Sequence, residues 1–200
     1  QWQQHAPTVS KNPTLNKEQA VACTTINQAH GFASFLLEGV TGSGKTEVYL
    51  QCLEEILKKG QQALVLVPEI GLTPQTVNRF RRRFPDTPIM LWHSALTDNE
   101  RLQTWRFCEK GSCAIVIGTR SSIFLPFSSL GMIIVDEEHD SSFKQQDTLR
   151  YHARDLAAYR AFQHNIPLIL GSATPALETL HKAITNKYQL LSLTQRAQTS

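Results

Sequence analysis

Between the apolar run Ser34 to Glu38 and a helix-like segment lies Gly39-Val40-Thr41-Gly42-Ser43-Gly44-Lys45-Thr46: a glycine, four residues, then Gly-Lys-Thr. That spacing demands a tight turn joining a strand to the N-terminus of a helix, which commits the chain to an α/β layer. The glycines let successive N–H groups turn inward as an anion nest, Lys45 brings a point charge to terminal phosphates, and the Thr46 hydroxyl can ligate magnesium. A turn made for structure alone does not need Lys-Thr at those places. Gly39, Thr41, Gly42, Ser43, Gly44, Lys45 and Thr46, with Glu47 in the first helical turn, are the candidate nucleotide-binding residues.

The rest of the pattern agrees. Short apolar runs at Ala63 to Pro68, Pro88 to His93, Cys113 to Gly118, Met132 to Asp136 and Pro167 to Gly171 alternate with helical segments, and Tyr188 to Leu193 offers an edge strand. Runs rich in Ile, Val and Leu suit strands covered on both faces. With the phosphate-loop pattern this predicts an α/β P-loop domain, a mainly parallel sheet with helices on both sides. The helices read Thr46 to Lys59, stopping at Gly60; Thr73 to Phe84, with Val77, Phe80 and Phe84 inward; one opened by the capping box Thr97 to Glu100, burying Leu102 and Trp105; and one after Pro175 running to about Lys187. Arg79, Arg81, Arg82 and Arg83 read as a solvated helix face, and Trp92 and His93 as packing residues.

At 200 residues with 41% hydrophobic content, the chain can bury a full core. Residues 1–14 read as a linker, 15–196 as the domain and 197–200 as a tail. Twenty Lys and Arg against 17 Asp and Glu leave a formal +3, compatible with a basic face but deciding little. Cys23, Cys52, Cys108 and Cys113 form no CxxC pair and have no His at zinc-finger spacing. They read as small buried hydrophobes in a reducing compartment, with no zinc expected. No long apolar span suggests a membrane partner.

Two further segments carry chemistry. Asp136-Glu137-Glu138-His139 follows an apolar strand, where ligands of open α/β sheets bind. Asp136 is the candidate magnesium carboxylate beside Thr46, and Glu137 the group that orients the attacking water and accepts its proton. Gly171-Ser172-Ala173-Thr174-Pro175 also follows an apolar run; its small hydroxylated residues could bond the acids or His139, or merely start a helix.

Walker A, then Asp-Glu-x-His, then Ser-Ala-Thr, is the motif order of the first RecA-like lobe of a superfamily 2 helicase. Together with Val67 to Gln75, Gly118 to Ser122 and Glu47-Val48-Tyr49, the set closely resembles the bacterial primosomal protein N′ family of replication-restart helicases. The resemblance implies a 3′-to-5′ DNA helicase that uses ATP and magnesium, recognises abandoned forks and reloads the replisome, in the bacterial cytoplasm at the nucleoid. It implies that Gln19 contacts adenine, with a cap at Asn16 as the competing or concurrent role. His139, Ser172, Ala173 and Thr174 would couple nucleotide state to DNA. Thr119, Arg120 and Ser121 would meet the DNA backbone, and Phe143, Lys144, Tyr151 and Arg154 would form an aromatic and basic coupling loop. From residue chemistry alone, Phe143 and Tyr151 can equally fold onto the core, and Arg154 can pair with Asp155 or Asp140.

The implied partners are forked and single-stranded DNA, a second RecA-like lobe, an upstream DNA-binding domain, single-stranded DNA-binding protein and primosome proteins. Because the second lobe supplies arginines to such a site, this segment alone is expected to bind nucleotide but hydrolyse it weakly. The alternatives are another superfamily 2 translocase or a nucleotide-gated docking module without motor activity. A small-molecule kinase would need a lid and an acceptor pocket, neither of which is apparent.

Overall fold

The computed structural model describes residues 13–147 and 149–196. Helices α1 (Lys17–Asn27), α2 (Lys45–Lys58), α3 (Pro74–Arg83), α4 (Asp98–Glu109), α5 (Ala153–His164) and α6 (Leu177–Ile184) are interleaved with β1 (Ser34–Gly39), β2 (Gln62–Leu66), β3 (Ile89–Trp92), β4 (Ile115–Gly118), β5 (Leu130–Val135), β6 (Lys144–Gln145), β7 (Tyr151–His152), β8 (Leu168–Ser172) and β9 (Gln189–Leu193). The expected linker lies almost wholly, and the expected tail wholly, outside the described residues.

The main sheet has seven strands in the order β3-β4-β2-β5-β8-β1-β9. Every pairing in it is parallel, and β9 occupies the edge beside β1 as its sequence suggests. Among the described residues only β6 and β7 pair antiparallel, between β5 and α5.

Two cores cover the sheet because successive strand side chains point to opposite faces. Phe35, Leu37, Ala63, Val65, Ile115, Ile117, Ile134 and Ile169 face α1, α2 and α3. Leu36, Leu64, Leu66, Val116, Ile133, Val135, Leu168 and Leu170 face α5 and its neighbours. This two-sided burial is why the strands read as continuous apolar runs rather than as alternating ones.

Helix boundaries follow local chemistry. Asn16 and Gln19 form a reciprocal capping box on α1, Thr97 and Glu100 form another on α4, and Thr73 caps α3 ahead of Pro74. Two expectations, for α4 and α6, need correction. Leu102 and Trp105 are 48% and 41% exposed; the inward positions of α4 are Thr104 and Cys108, one turn apart, with Cys108 Sγ 3.5 Å from Cys113 Sγ. The apolar residues of α4 are spread around the helix, so periodicity alone did not identify the covered stripe. Helix α6 stops at Ile184 instead of near Lys187, because Asn186 turns left-handed and the Lys187 and Tyr188 amides close back onto the Lys182 carbonyl.

Arg83 does not belong to the solvated face of α3. It is buried, with Nη1 2.9 Å from Glu47 and Nη2 3.6 Å from Glu54, both on α2. Arg81 and Arg82 are exposed as expected. A buried charge must be paired, so Arg83 fixes α3 against the helix that follows the glycine-rich turn. Urea denaturation should show Arg83→Ala losing about 2 kcal/mol of unfolding free energy, while Arg81→Ala stays within about 0.5 kcal/mol of the parent.

Candidate nucleotide site

The sheet brings its motifs to one level. Glu38 pairs with Ser172, Leu170 with Val135, Val135 with Leu66, and Leu66 with Gly118, so the loops leaving β1, β8, β5, β2 and β4 emerge side by side. The Asp136 amide continues onto the Leu66 carbonyl and the Glu138 amide onto the Gly171 carbonyl, which suspends the acidic turn between β2 and β8.

The phosphate loop is folded as a nest. Gly42 and Gly44 have φ of +83° and +88°, a region open to glycine with little strain, and the Ser43 amide donates to the Val40 carbonyl. Ser43 is fully buried and its hydroxyl, which has no hydrogen-bond partner among the described residues, is packed against Gly39, where an added Cβ would lie 2.4 Å from it. Lys45 is buried, donates to the Gly39 carbonyl at 2.7 Å and lies 3.6 Å from Glu137. Thr46 follows, half-buried, in the first turn of α2. Val40 and Thr41 are exposed at the rim.

Two flanking residues are engaged by partners within the chain. The Gln19 side chain accepts from the Asn16 amide and donates to the Ser43 carbonyl at 3.1 Å, so its amide group braces the glycine-rich loop while serving the α1 cap. The Glu47 carboxylate is engaged by Arg83 and Gln51, which directs it along α2 toward α3 instead of into the nest.

Asp136 is partly buried, and its Oδ1 accepts the hydroxyl of Tyr49 at 2.9 Å. Burial pushes this carboxyl above the usual aspartate range, helped by the neighbouring Glu137 charge and opposed by the Tyr49 bond and by Lys45. Burial, with the Asp136 charge beside it, likewise holds the Tyr49 phenol well above its ordinary value and therefore protonated as a donor. Glu137 has φ +48°, a left-handed backbone that an ordinary side chain pays strain to adopt. Its carboxylate lies between Lys45 at 3.6 Å and His139 Nδ1 at 3.7 Å. His139 Nδ1 is 2.6 Å from the Ser172 hydroxyl, which also accepts from the Thr174 amide at 3.0 Å, with the half-buried Ala173 between them.

Magnesium suits this donor set. The Thr46 hydroxyl and the Asp136 carboxylate are hard oxygen donors. Among the described residues no three His, Cys, Asp or Glu side chains converge on a metal position, so an ion held here would complete its shell with phosphate oxygens and water.

The sequence position of Glu138 suggests no role for it. It is fully buried, and its carboxylate takes Arg154 at 3.2 Å, the Ala176 amide at 2.7 Å and the Thr179 hydroxyl at 2.8 Å. Arg154 is therefore an internal tie, shared with Asp155, and not an open phosphate contact. Phe143 is fully buried in the α5-side core, so its ring offers no face to a base. Tyr151 is half-buried, edge-on to Phe124 with ring centroids 5.1 Å apart, while Lys144 is exposed. Arg120 donates to the carbonyls of Ser142 and Lys144, which pins the loop after the acidic turn to the one after β4. The exposed Ser121 accepts from the Trp92 indole. Thr119 is buried yet lines a cavity of about 410 Å³ with Glu69, Thr73, Asn78, Arg81 and His93. His93, read as a packing residue, is half-buried and also lines this cavity.

The sequence model of the DEAD/DEAH box helicase family matches residues 16–183, and the chain belongs to that family. More particularly, it is 56% identical over 204 residues to "Replication restart protein PriA" of Haemophilus influenzae, covering 98% of this chain and 27% of that protein. It is 54% identical over 162 residues to the protein of the same name from Bacillus subtilis, covering 81% and 20%. The chain thus spans about a quarter of the length of these relatives. Its fold matches that of RecG bound to a three-way DNA junction, with TM-score 0.68 and 20% identity over 96% of this chain and 26% of RecG. It also matches the Hef helicase domain of Pyrococcus furiosus, with TM-score 0.60 and 19% identity over 90% of this chain and 38% of that one. The α/β, RecA-like fold read from the motif order is the observed one.

Removing the Glu138 carboxylate would strand Arg154 in the interior. Glu138→Ala should lower unfolding free energy by about 3 kcal/mol and Glu138→Gln by less, read by urea denaturation.

Proposed function

We propose that this chain is the ATP-binding lobe of a 3′-to-5′ DNA helicase that acts at stalled or abandoned replication forks and helps to reload the replisome. One observation carries the reading: the phosphate loop, the acidic turn and the Ser-Ala-Thr turn meet at one sheet edge, with Lys45 3.6 Å from Glu137 and His139 2.6 Å from Ser172. A kinase or a generic phosphate binder has no need of that last bond. The names of the relatives, replication restart proteins, support the biological setting.

In this reading the loop amides cradle the phosphates of ATP, and Lys45 exchanges its bond to the Gly39 carbonyl for a terminal phosphate oxygen. Thr46 and Asp136 would hold magnesium, which supplies charge neutralisation across the phosphates when bound. Glu137, fixed by its strained backbone, orients the attacking water and accepts its proton. His139 and Ser172 carry the change in charge at Glu137 to the turn before α6, and so to surfaces facing a second RecA-like lobe.

The cavity lined by Thr73, Asn78, Arg81, His93 and Thr119 offers hydroxyls, an amide, a guanidinium and a helix start to a DNA backbone, with Ser121 exposed nearby. RecG, whose fold this chain shares, is bound to a three-way DNA junction. Forked and single-stranded DNA, the second lobe, an upstream DNA-binding domain, single-stranded DNA-binding protein and primosome proteins complete the proposed partners. The proposed setting is the bacterial cytoplasm at the nucleoid.

Titration with magnesium and ATP or ADP tests the core. Lys45→Ala should weaken nucleotide binding by at least about tenfold, the loss expected for one charge-assisted contact, and unchanged affinity would overturn the assignment. In the longer protein, Glu137→Gln should keep nucleotide affinity and reduce turnover by about a hundredfold or more. If fork binding and partner loading then persist without hydrolysis, the docking-module reading gains ground over the motor.

A further inference from the structure

Tyr49 stands one helical turn after Lys45 on α2, fully buried, with its hydroxyl 2.9 Å from Asp136 Oδ1. The slot that admits it is built by a second element. Gly171 interrupts the apolar strand β8, and a Cβ there would lie 1.6 Å from the Tyr49 hydroxyl oxygen, 2.9 Å from its Cζ and 3.4 Å from Asp136 Oδ1. A glycine inside a strand marks a close approach by another group, and the approaching group here is the phenol. Three elements therefore converge on one oxygen atom: α2 brings the donor, β5 the acceptor and β8 the space.

We propose that Tyr49 is a positioning residue for the metal-binding carboxylate, locking Asp136 to the helix that carries Lys45 and Thr46. The inference rests on the nucleotide reading above and adds a residue to it. A carboxylate has about four lone-pair sites; the phenol occupies one on Oδ1 and leaves Oδ2 for a cation or a cation-bound water. Magnesium demands near-octahedral geometry, so a carboxylate free to rotate is a poorer ligand than one held in a single orientation. The phenol also sets the distance between the two halves of the site. Thr46 and Asp136 lie on different elements, and the Tyr49 bond ties those elements together directly behind the site.

Tyr49→Phe removes the hydroxyl and keeps the ring. Fluorescent ADP binding to the chain, measured without magnesium and then across a magnesium titration, should show unchanged metal-free affinity and a magnesium midpoint raised about tenfold, the scale of a lost hydrogen bond to a charged group. In an Asp136→Asn background the same substitution should have no further effect on the magnesium response, because Tyr49 acts through that carboxylate. Gly171→Ala, which displaces the phenol without altering it, should reproduce the pattern and serves as the second variant if Tyr49→Phe folds poorly. Coincident magnesium midpoints for the parent and Tyr49→Phe overturn the inference. So does an equal loss of affinity with and without the metal, which would make Tyr49 a packing residue. If the parent chain binds no nucleotide in either condition, the underlying reading fails first, and the positioning role falls with it.

Discussion

A sheet whose strands all run parallel delivers every carboxyl end to one edge, and helices covering both faces leave that edge as the place where polar loops can gather. The register across β1, β8, β5, β2 and β4 turns this general constraint into a particular site, because it brings five loops out at a common height. The phosphate loop, the acidic turn and the Ser-Ala-Thr turn need no long side chains to reach one another. Lys45, Glu137, His139 and Ser172 are in succession within a few ångströms because their strands are hydrogen-bonded neighbours or next neighbours.

Buried charge supplies the second layer of order. Three interior cations are each matched to an acceptor from a distant part of the sequence or from the loop itself: Arg83 to Glu47 and Glu54, Arg154 to Glu138, and Lys45 to the Gly39 carbonyl. Pairs of this kind contribute less to net stability than to specificity of arrangement, since breaking one leaves a desolvated charge with nowhere to go. Their distribution is informative. Arg83 ties α3 to the helix after the glycine-rich turn, Glu138 ties the acidic turn to α5 and α6, and Lys45 is bonded to a loop carbonyl.

What could be read in the sequence was what depends on local spacing. The glycine-rich turn, the apolar runs, the capping residues Asn16, Thr73 and Thr97, and the placement of Asp136 at a strand end are all properties of a few consecutive residues. What escaped depended on which side of a helix the rest of the chain covers. The four arginines near the end of α3 look alike in one dimension; only the position of α2 in space singles out Arg83. Phe143 and Arg154 have the composition of a nucleic-acid loop, yet the Phe143 ring is taken into the core and Arg154, in the first turn of α5, turns its guanidinium to Glu138. Glu138 and Tyr49 were overlooked for the opposite reason. Each sits beside a residue with an obvious role, and their own partners lie 16 to 87 positions away. One signal was available for Tyr49: a glycine in the middle of an apolar strand asks what approaches it.

The Glu138 carboxylate bears on how the domain breathes. The first turn of a short helix normally frays, because its leading amides have no partner within the helix. In α6, the amide of Ala176 and the hydroxyl of Thr179 both end on one carboxylate rooted in the acidic turn, which also holds the start of α5 through Arg154. Opening α6 would uncover a charged group shared by three segments, so these segments should open together as one unit instead of fraying singly. In amide hydrogen exchange the Ala176 N–H would then report on the acidic turn, making the onset of a surface helix a remote gauge of how firmly the loop leaving β5 is held.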